Sequence, residues 1–208
     1  MNPPLLVIAG PNGAGKTTVT ARLRVDHWSE GVEYLNPDDI ARERFGDWNS
    51  PSAVLDAARW AQERREALLA AGAGIAFETV FSAPDKVTFV DRARRADYFV
   101  RLFYIGTSDP RINASRVADR VIRGGHTVPI EKIVSRYEGS LANLPLGIEL
   151  AQRAYVYDNS VDGIDARLCA RTQDGMLRKV YGPLPKWVAS VVDGLPRHPD
   201  FVDLRTTP

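Results

Sequence analysis

The chain has 208 residues, 44% of them hydrophobic and 25% charged, with a formal net charge of +1. That length suits one α/β domain with a sizeable core, and 27 basic against 26 acidic residues exclude a whole-protein field for nucleic acid or an anionic membrane. No apolar run approaches the roughly 18 residues of a membrane span, the start lacks a basic signal-peptide region, and the lone Cys169 excludes an internal disulfide or a Cys-built zinc site, so a cytoplasmic protein is expected.

Residues 4–9 form a continuous apolar run, as expected of a strand buried on both faces of a parallel sheet. A glycine-rich turn leads into a helix over 16–27, and 32–36 reads as the second strand. Ser50 as N-cap and Pro51 at the first helical position start a helix to about residue 71, with Gly72 available to end it. Residues 74–80 read as the third strand, Ser82-Ala83-Pro84-Asp85 as a capping box opening a helix to about 96, and 98–105 as the fourth strand. Asp109-Pro110 starts a helix to about 122, which Gly124-Gly125 breaks. Residues 127–129 start another, whose Ile130, Ile133, Val134, Tyr137, Leu141 and Leu144 keep one apolar face. Pro145 is expected to interrupt that helix before a short helix to about 153. A fifth strand at 154–157, a hairpin of 166–172 with 176–181, and a last helix over 185–192 complete the reading. Strands alternating with helices predict a single three-layer α/β domain over 1–208 with a mostly parallel sheet. The stretch 108–153, least tied to the alternation, is expected to form a helical lid on the substrate side.

Gly10-Pro11-Asn12-Gly13-Ala14-Gly15-Lys16-Thr17 matches G-x-x-x-x-G-K-[ST] without a mismatch, between an apolar strand and a helix. In that pattern the backbone N–H groups of the loop, continued by Thr18, cradle the phosphates at the positive end of the helix. Lys16 would reach the β- and γ-phosphates and the Thr17 hydroxyl would ligate Mg²⁺. A P-loop NTPase fold binding ATP with Mg²⁺ follows. The chain has no N-K-x-D guanine reader and no L-S-G-G-Q signature, so a GTPase or a cassette ATPase is not expected.

Polar groups cluster where strands end, which is where an open parallel sheet places its site. Asn36-Pro37-Asp38-Asp39 ends the second strand, Glu78-Thr79 the third and Asp158-Asn159-Ser160 the fifth. Transfer of a phosphoryl group to a hydroxyl needs a carboxylate to accept the hydroxyl proton, and Asp38 is the candidate, with Asp39 the better helix cap. Glu78 lies in an otherwise apolar strand, where an unpaired carboxylate is costly, so it should meet a cation, a metal-bound water or a substrate hydroxyl. Asp158 reads first as turn chemistry.

Only five of the 27 basic residues are lysines. Arg116, Arg120 and Arg123 fall at i, i+4 and i+7, one helical face, where three like charges repel unless an anion neutralises them. Laid over the transferring phosphoryl group, they would stabilise its charge. Arg92, Arg94 and Arg95 read as an exposed helix end, and His126 as a loop histidine.

The set G-P-N-G-A-G-K-T-T, N-P-D, F-E-T and the arginine helix with R-G-G-H-T-V-P resembles the zeta-toxin-like P-loop kinases, in order, from about residue 5 to 160. The resemblance implies an ATP-dependent kinase acting on a hydroxyl of a small molecule, a nucleotide sugar such as UDP-N-acetylglucosamine in the characterised toxins, and an antitoxin as protein partner. It implies Asp38 as the base, Glu78 with Thr79 as substrate-binding, and lid arginines on the phosphates. The Glu-Thr of the third-strand motif stands where many zeta toxins have Glu-Gly-Thr, and the chain looks closer to a stand-alone bacterial branch. The alternatives are a kinase of another nucleotide such as NAD, or a non-catalytic ATP-binding switch. Neither a nucleic-acid nor a membrane partner is expected.

Overall fold

The computed structural model describes residues 2–23, 31–46, 50–124 and 128–205. The apolar β1 (Pro4–Ala9) leads through the glycine-rich loop into α1 (Lys16–Leu23), followed by β2 (Val32–Leu35), α2 (Pro37–Phe45) and α3 (Pro51–Ala70). Then come β3 (Gly74–Thr79), α4 (Pro84–Arg95), β4 (Phe99–Gly106), α5 (Pro110–Ile122), α6 (Ile130–Leu150) and β5 (Arg153–Asp158). The chain closes with β6 (Arg167–Gln173), β7 (Met176–Val180), α7 (Lys186–Val192) and β8 (Arg197–Asp203). The expected extension of α1 to residue 27 falls outside the described residues.

These strands build one sheet in the order β2-β3-β1-β4-β5-β6-β7-β8. The first five run parallel, β6 and β7 return antiparallel, and β8 pairs parallel with β7. Alternation along each buried strand divides the core in two. Leu5, Val7, Phe77, Leu102 and Tyr104 face one side, where Leu144 and Ile148 of α6 and Val188 of α7 cover them. Leu6, Ile8, Ala76, Phe103 and Ile105 face the other, covered by Val19 of α1. That is the expected three-layer α/β fold, and it brings the carboxyl ends of five parallel strands to one edge. No helix among the described residues is long and apolar enough to cross a membrane.

Three local expectations are corrected, and one strand is added. Helix α6 runs through Pro145 without a break. Losing one backbone donor is outweighed there by the fully buried Leu144 and Ile148, which hold both sides of the proline against the core. Within the stretch 108–153, α5 and the first turns of α6 overhang the loop, while the rest of α6 packs on α4 and β4. The cap of α2 is Asn36, whose side chain accepts from the Asp38 N–H, so Asp39 is free to pair with Arg42 at 3.1 Å. Pro84 fixes the first helical position of α4, so its cap is Ala83, and Ser82 lies one residue too early for the expected box. Finally, β8 was unforeseen, because R-H-P-D-F-V-D has no alternation. It takes the sheet edge, where Pro199 costs no ladder bond and half-buried Phe201 reaches the core.

Candidate active site

Each glycine of the loop sits where a side chain could not. Gly13 has φ +76 and a Cβ there would stand 2.6 Å from the Asn113 carbonyl; Gly15 has φ +88 and a Cβ would strike the Asn159 side-chain amide. The loop therefore presses against α5 on one side and the segment after β5 on the other. Lys16, at the first turn of α1, bends back over the loop, its Nζ donating to the carbonyls of Gly10 at 2.9 Å and Pro11 at 3.1 Å. Burial pulls the Lys16 pKa below the ordinary lysine value; Glu78 and Asp38 push it up, and Arg120 and Arg136 push it down. Those four charges are the electrostatic surroundings of the lysine, and three of them were singled out from sequence.

Glu78 shares the sheet face that α1 covers. Its Oε1 accepts from Thr20 Oγ1 and from the Tyr34 hydroxyl, both at 2.7 Å, and its Oε2 faces Thr17 Oγ1 at 3.5 Å. Three hydroxyls thus satisfy a carboxylate that is 8% exposed. The same contact, with burial, raises the Tyr34 pKa well above the ordinary tyrosine range, so the phenol stays a donor. Thr17 and Glu78 set a hydroxyl and a carboxylate side by side at the helix start, an oxygen donor set that suits a hydrated Mg²⁺ carried on phosphate.

Thr79 departs from the expected pairing with Glu78. Successive residues of a strand face opposite sides of the sheet, so Thr79 points away from Glu78, and its hydroxyl accepts from the Phe81 N–H at 3.0 Å. It shapes the turn into α4. Asp38 stands exposed in the first turn of α2, held by the Asn36 cap, and its carboxylate acts on Lys16. Asp158 accepts from Trp187 Nε1 of α7 at 2.7 Å and from Ser160 Oγ at 2.6 Å, which fixes the segment after β5.

The three arginines of α5 part company. Arg120 lies near enough to Lys16 for its charge to lower the lysine pKa. Arg116 turns to the segment after β5, donating to Asp162 Oδ1 at 2.7 Å and to the Asn159 carbonyl at 2.8 Å. Arg123 is the exposed C-cap residue of the helix. Their common face is real, but one helical turn moves each guanidinium about 5.4 Å along the axis. The structure supplies instead Arg136 from α6, which approaches Asn12 Oδ1 at 3.5 Å and acts on Lys16. Arg136 was missed, although its lack of an acid three or four residues away on the helix was a legible signal. Arg92, Arg94 and Arg95 pair with Glu66, Asp174 and Asp91 at the surface, as expected of an exposed helix end. His126 lies outside the described residues.

One cavity borders the loop and another lies on the same sheet face, beside Thr20 of α1. The first, of about 250 Å³, lies between Gly15, Thr18 and Val19 and a wall made by Arg116 and residues 161–166. The other, of about 460 Å³, has an apolar floor of Leu6, Ile8 and Ala76 and a polar rim of Tyr34, Asn36, Asp39 and Glu43.

Residues 1–161 match the family model described as zeta toxin. A Haemophilus influenzae protein described as uncharacterized is 26% identical over 128 residues, 62% of this chain and 88% of its own length. A chain of the AvrRxo1-ORF1:-ORF2 complex solved with ATP superposes with a TM-score of 0.64 at 18% identity, covering 85% of this chain. The present chain spans only 60% of that protein. The PezAT chromosomal toxin–antitoxin system of Streptococcus pneumoniae gives a TM-score of 0.59 at 15% identity, over 93% of this chain and 79% of its own. At such identities the structural likeness shows a shared fold.

Proposed function

The chain belongs to the zeta toxin family, and from that premise we propose that it is a Mg²⁺- and ATP-dependent kinase transferring the γ-phosphoryl group to a hydroxyl of a small molecule. The observation that carries the reading is the loop geometry: Lys16 Nζ bent over the Gly10 and Pro11 carbonyls, Glu78 facing Thr17 at the helix start, and Arg136 of α6 reaching Asn12. In this reading the loop amides and the start of α1 hold the triphosphate. The adenine occupies the smaller cavity, against Arg116. Mg²⁺, held by Thr17 and by Glu78 through water, would neutralise phosphate charge. Asp38 accepts the proton of the acceptor hydroxyl as its oxygen bonds to the γ-phosphorus and the bond to the ADP oxygen breaks. Arg120 and Arg136 offset the charge on the equatorial oxygens from above the loop.

The acceptor follows the resemblance: a nucleotide sugar of the UDP-N-acetylglucosamine kind is the first compound to offer. A cell metabolite extract comes next, with mass spectrometry seeking a species that gains one phosphate in the presence of ATP. ATP turnover that stays equally slow with every acceptor would refute the kinase reading. Arg120→Ala and Arg136→Ala should each lower kcat about tenfold or more while changing ATP affinity less; Arg123→Ala should leave both at wild-type values. Equal rates in all three variants would remove the arginines from the mechanism. An antitoxin partner belongs to the same proposal, supported by the PezAT neighbour being a toxin–antitoxin system. Growth arrest on expression of the wild type but not of a transfer-dead variant is the expected result.

A further inference from the structure

The carbonyls of the phosphate loop are gripped from outside by groups that the proposed mechanism does not use. Asn113 of α5 is fully buried, and its Nδ2 donates to the Asn12 carbonyl at 2.6 Å. Its amide cannot turn over, because Oδ1 accepts a short hydrogen bond from Thr107 Oγ1. Thr107 is itself fully buried, and its carbonyl takes the Tyr137 hydroxyl of α6 at 2.7 Å. Two residues further along the loop, Asn159 Nδ2 donates to the Ala14 carbonyl at 2.8 Å. The Asn159 carbonyl is in turn held by Arg116 at 2.8 Å.

A trans peptide is planar, with its C=O and N–H pointing in opposite directions. Fixing the Asn12 carbonyl toward α5 therefore fixes the Gly13 N–H away from it. Fixing the Ala14 carbonyl toward the segment after β5 fixes the Gly15 N–H in the same way. Both glycines have positive φ, so neither peptide orientation is enforced by their own side chains. An external partner has to select it.

We propose that Asn113 and Asn159 are positioning residues for phosphate binding: two side-chain amides that hold alternate peptides of the loop, so that the Gly13 and Gly15 N–H groups are already aimed at the anion. The inference rests on the reading of residues 10–17 as a triphosphate site. Preorganised donors bind an anion without the cost of turning peptides at the moment of binding. The same clamp ties the loop to both overhanging helices, since Asn113 lies on α5 and is locked through Thr107 to Tyr137 of α6, beside Arg136.

The test uses Asn113→Leu and Asn159→Leu, which keep side-chain size and add no charge. Probes are MgATP and inorganic tripolyphosphate with Mg²⁺, titrated by calorimetry, alongside the ligand-free melting temperature. The expected result is a loss of affinity of about tenfold or more for both probes, in variants that melt within a few degrees of the wild type. Where the fully buried Asn113→Leu fails to fold, the part-buried Asn159→Leu decides. A folded variant that binds both probes as the wild type does overturns the proposal. A wild type that binds neither probe overturns the triphosphate reading itself, and the two failures are told apart by that control.

Discussion

Asp38→Asn should leave ATP binding intact while phosphotransfer falls about 10²-fold or more. The substitution is isosteric, and the position is prepared for it. Asn36 caps α2 through the Asp38 backbone N–H rather than through its side chain, so the helix start survives the change. What is lost is a basic oxygen. An amide cannot take the proton that leaves the acceptor hydroxyl, whereas the loop, Lys16 and the arginines that hold the triphosphate are untouched. One electrostatic consequence is separable from catalysis. Asp38 is among the groups that raise the Lys16 pKa, so its removal should depress that pKa further. Single-turnover transfer measured beside ATP affinity distinguishes the two effects: transfer collapses near neutral pH, and affinity changes only toward alkaline pH. Transfer at the wild-type rate would remove Asp38 from the mechanism.

The positions of Asp38 and the arginines differ in how far a sequence determines them. The phosphate loop was legible because its chemistry is contiguous: glycines, lysine and threonine act at fixed spacing within one turn and one helix start. The burial of Glu78 was legible because a carboxylate inside an apolar strand needs partners, which Thr20, Tyr34 and Thr17 supply; the place of Asp38 was legible because N-P-D follows a strand and opens a helix. Thr79 was misplaced for a reason the strand period already contained, since it must face the side opposite Glu78. The arginines were only half legible. A helical face says that Arg116, Arg120 and Arg123 share a direction, not which of them stands level with the loop. Arg120 and Arg136 both lack an acid at helical spacing, whereas Asp119 neighbours both Arg116 and Arg123. Among the arginines of α5 that criterion separates Arg120 from its neighbours, but across the chain it does not decide, since Arg64 and Arg92 also lack such an acid and pair instead with Glu33 and Glu66. Asn113 and Asn159 had no such signal. Their role depends on contacts across 101 and 145 residues of chain, which only the sheet order brings together. The fold followed the same division: the alternating core was readable, and the edge strand β8, held by its position rather than by its pattern, was not.

Lys16→Ala should lower phosphotransfer by about 10²-fold or more, because it removes the cation closest to the developing γ-phosphate charge. The surroundings of the lysine predict more than a rate. Burial holds its pKa in the folded protein below the value in the unfolded chain, Glu78 and Asp38 offset part of that, and Arg120 and Arg136 add to it. The unfolded chain therefore binds more protons than the folded one between the two values, and this group's contribution makes stability rise with pH through that window. Ligand binding has the opposite sign. A triphosphate favours the charged ammonium, so in the same window ATP binding should take up a proton, and affinity should fall as pH rises through the depressed value. Calorimetry in buffers of different ionisation heat measures that uptake directly. In Lys16→Ala the uptake and the associated fall in affinity should both vanish, leaving a weaker but flatter binding profile. Lys16→Arg separates charge from titration: it stays protonated throughout, so it too should lose the proton uptake, while its longer, planar head meets the Gly10 and Pro11 carbonyls in a different geometry and restores transfer only in part. An unaltered proton uptake in Lys16→Ala would show that another group titrates with the triphosphate. A wild-type rate of transfer in that variant would break the assignment of the loop itself, since the remaining cations, Arg120 and Arg136, reach it only from the overhanging helices.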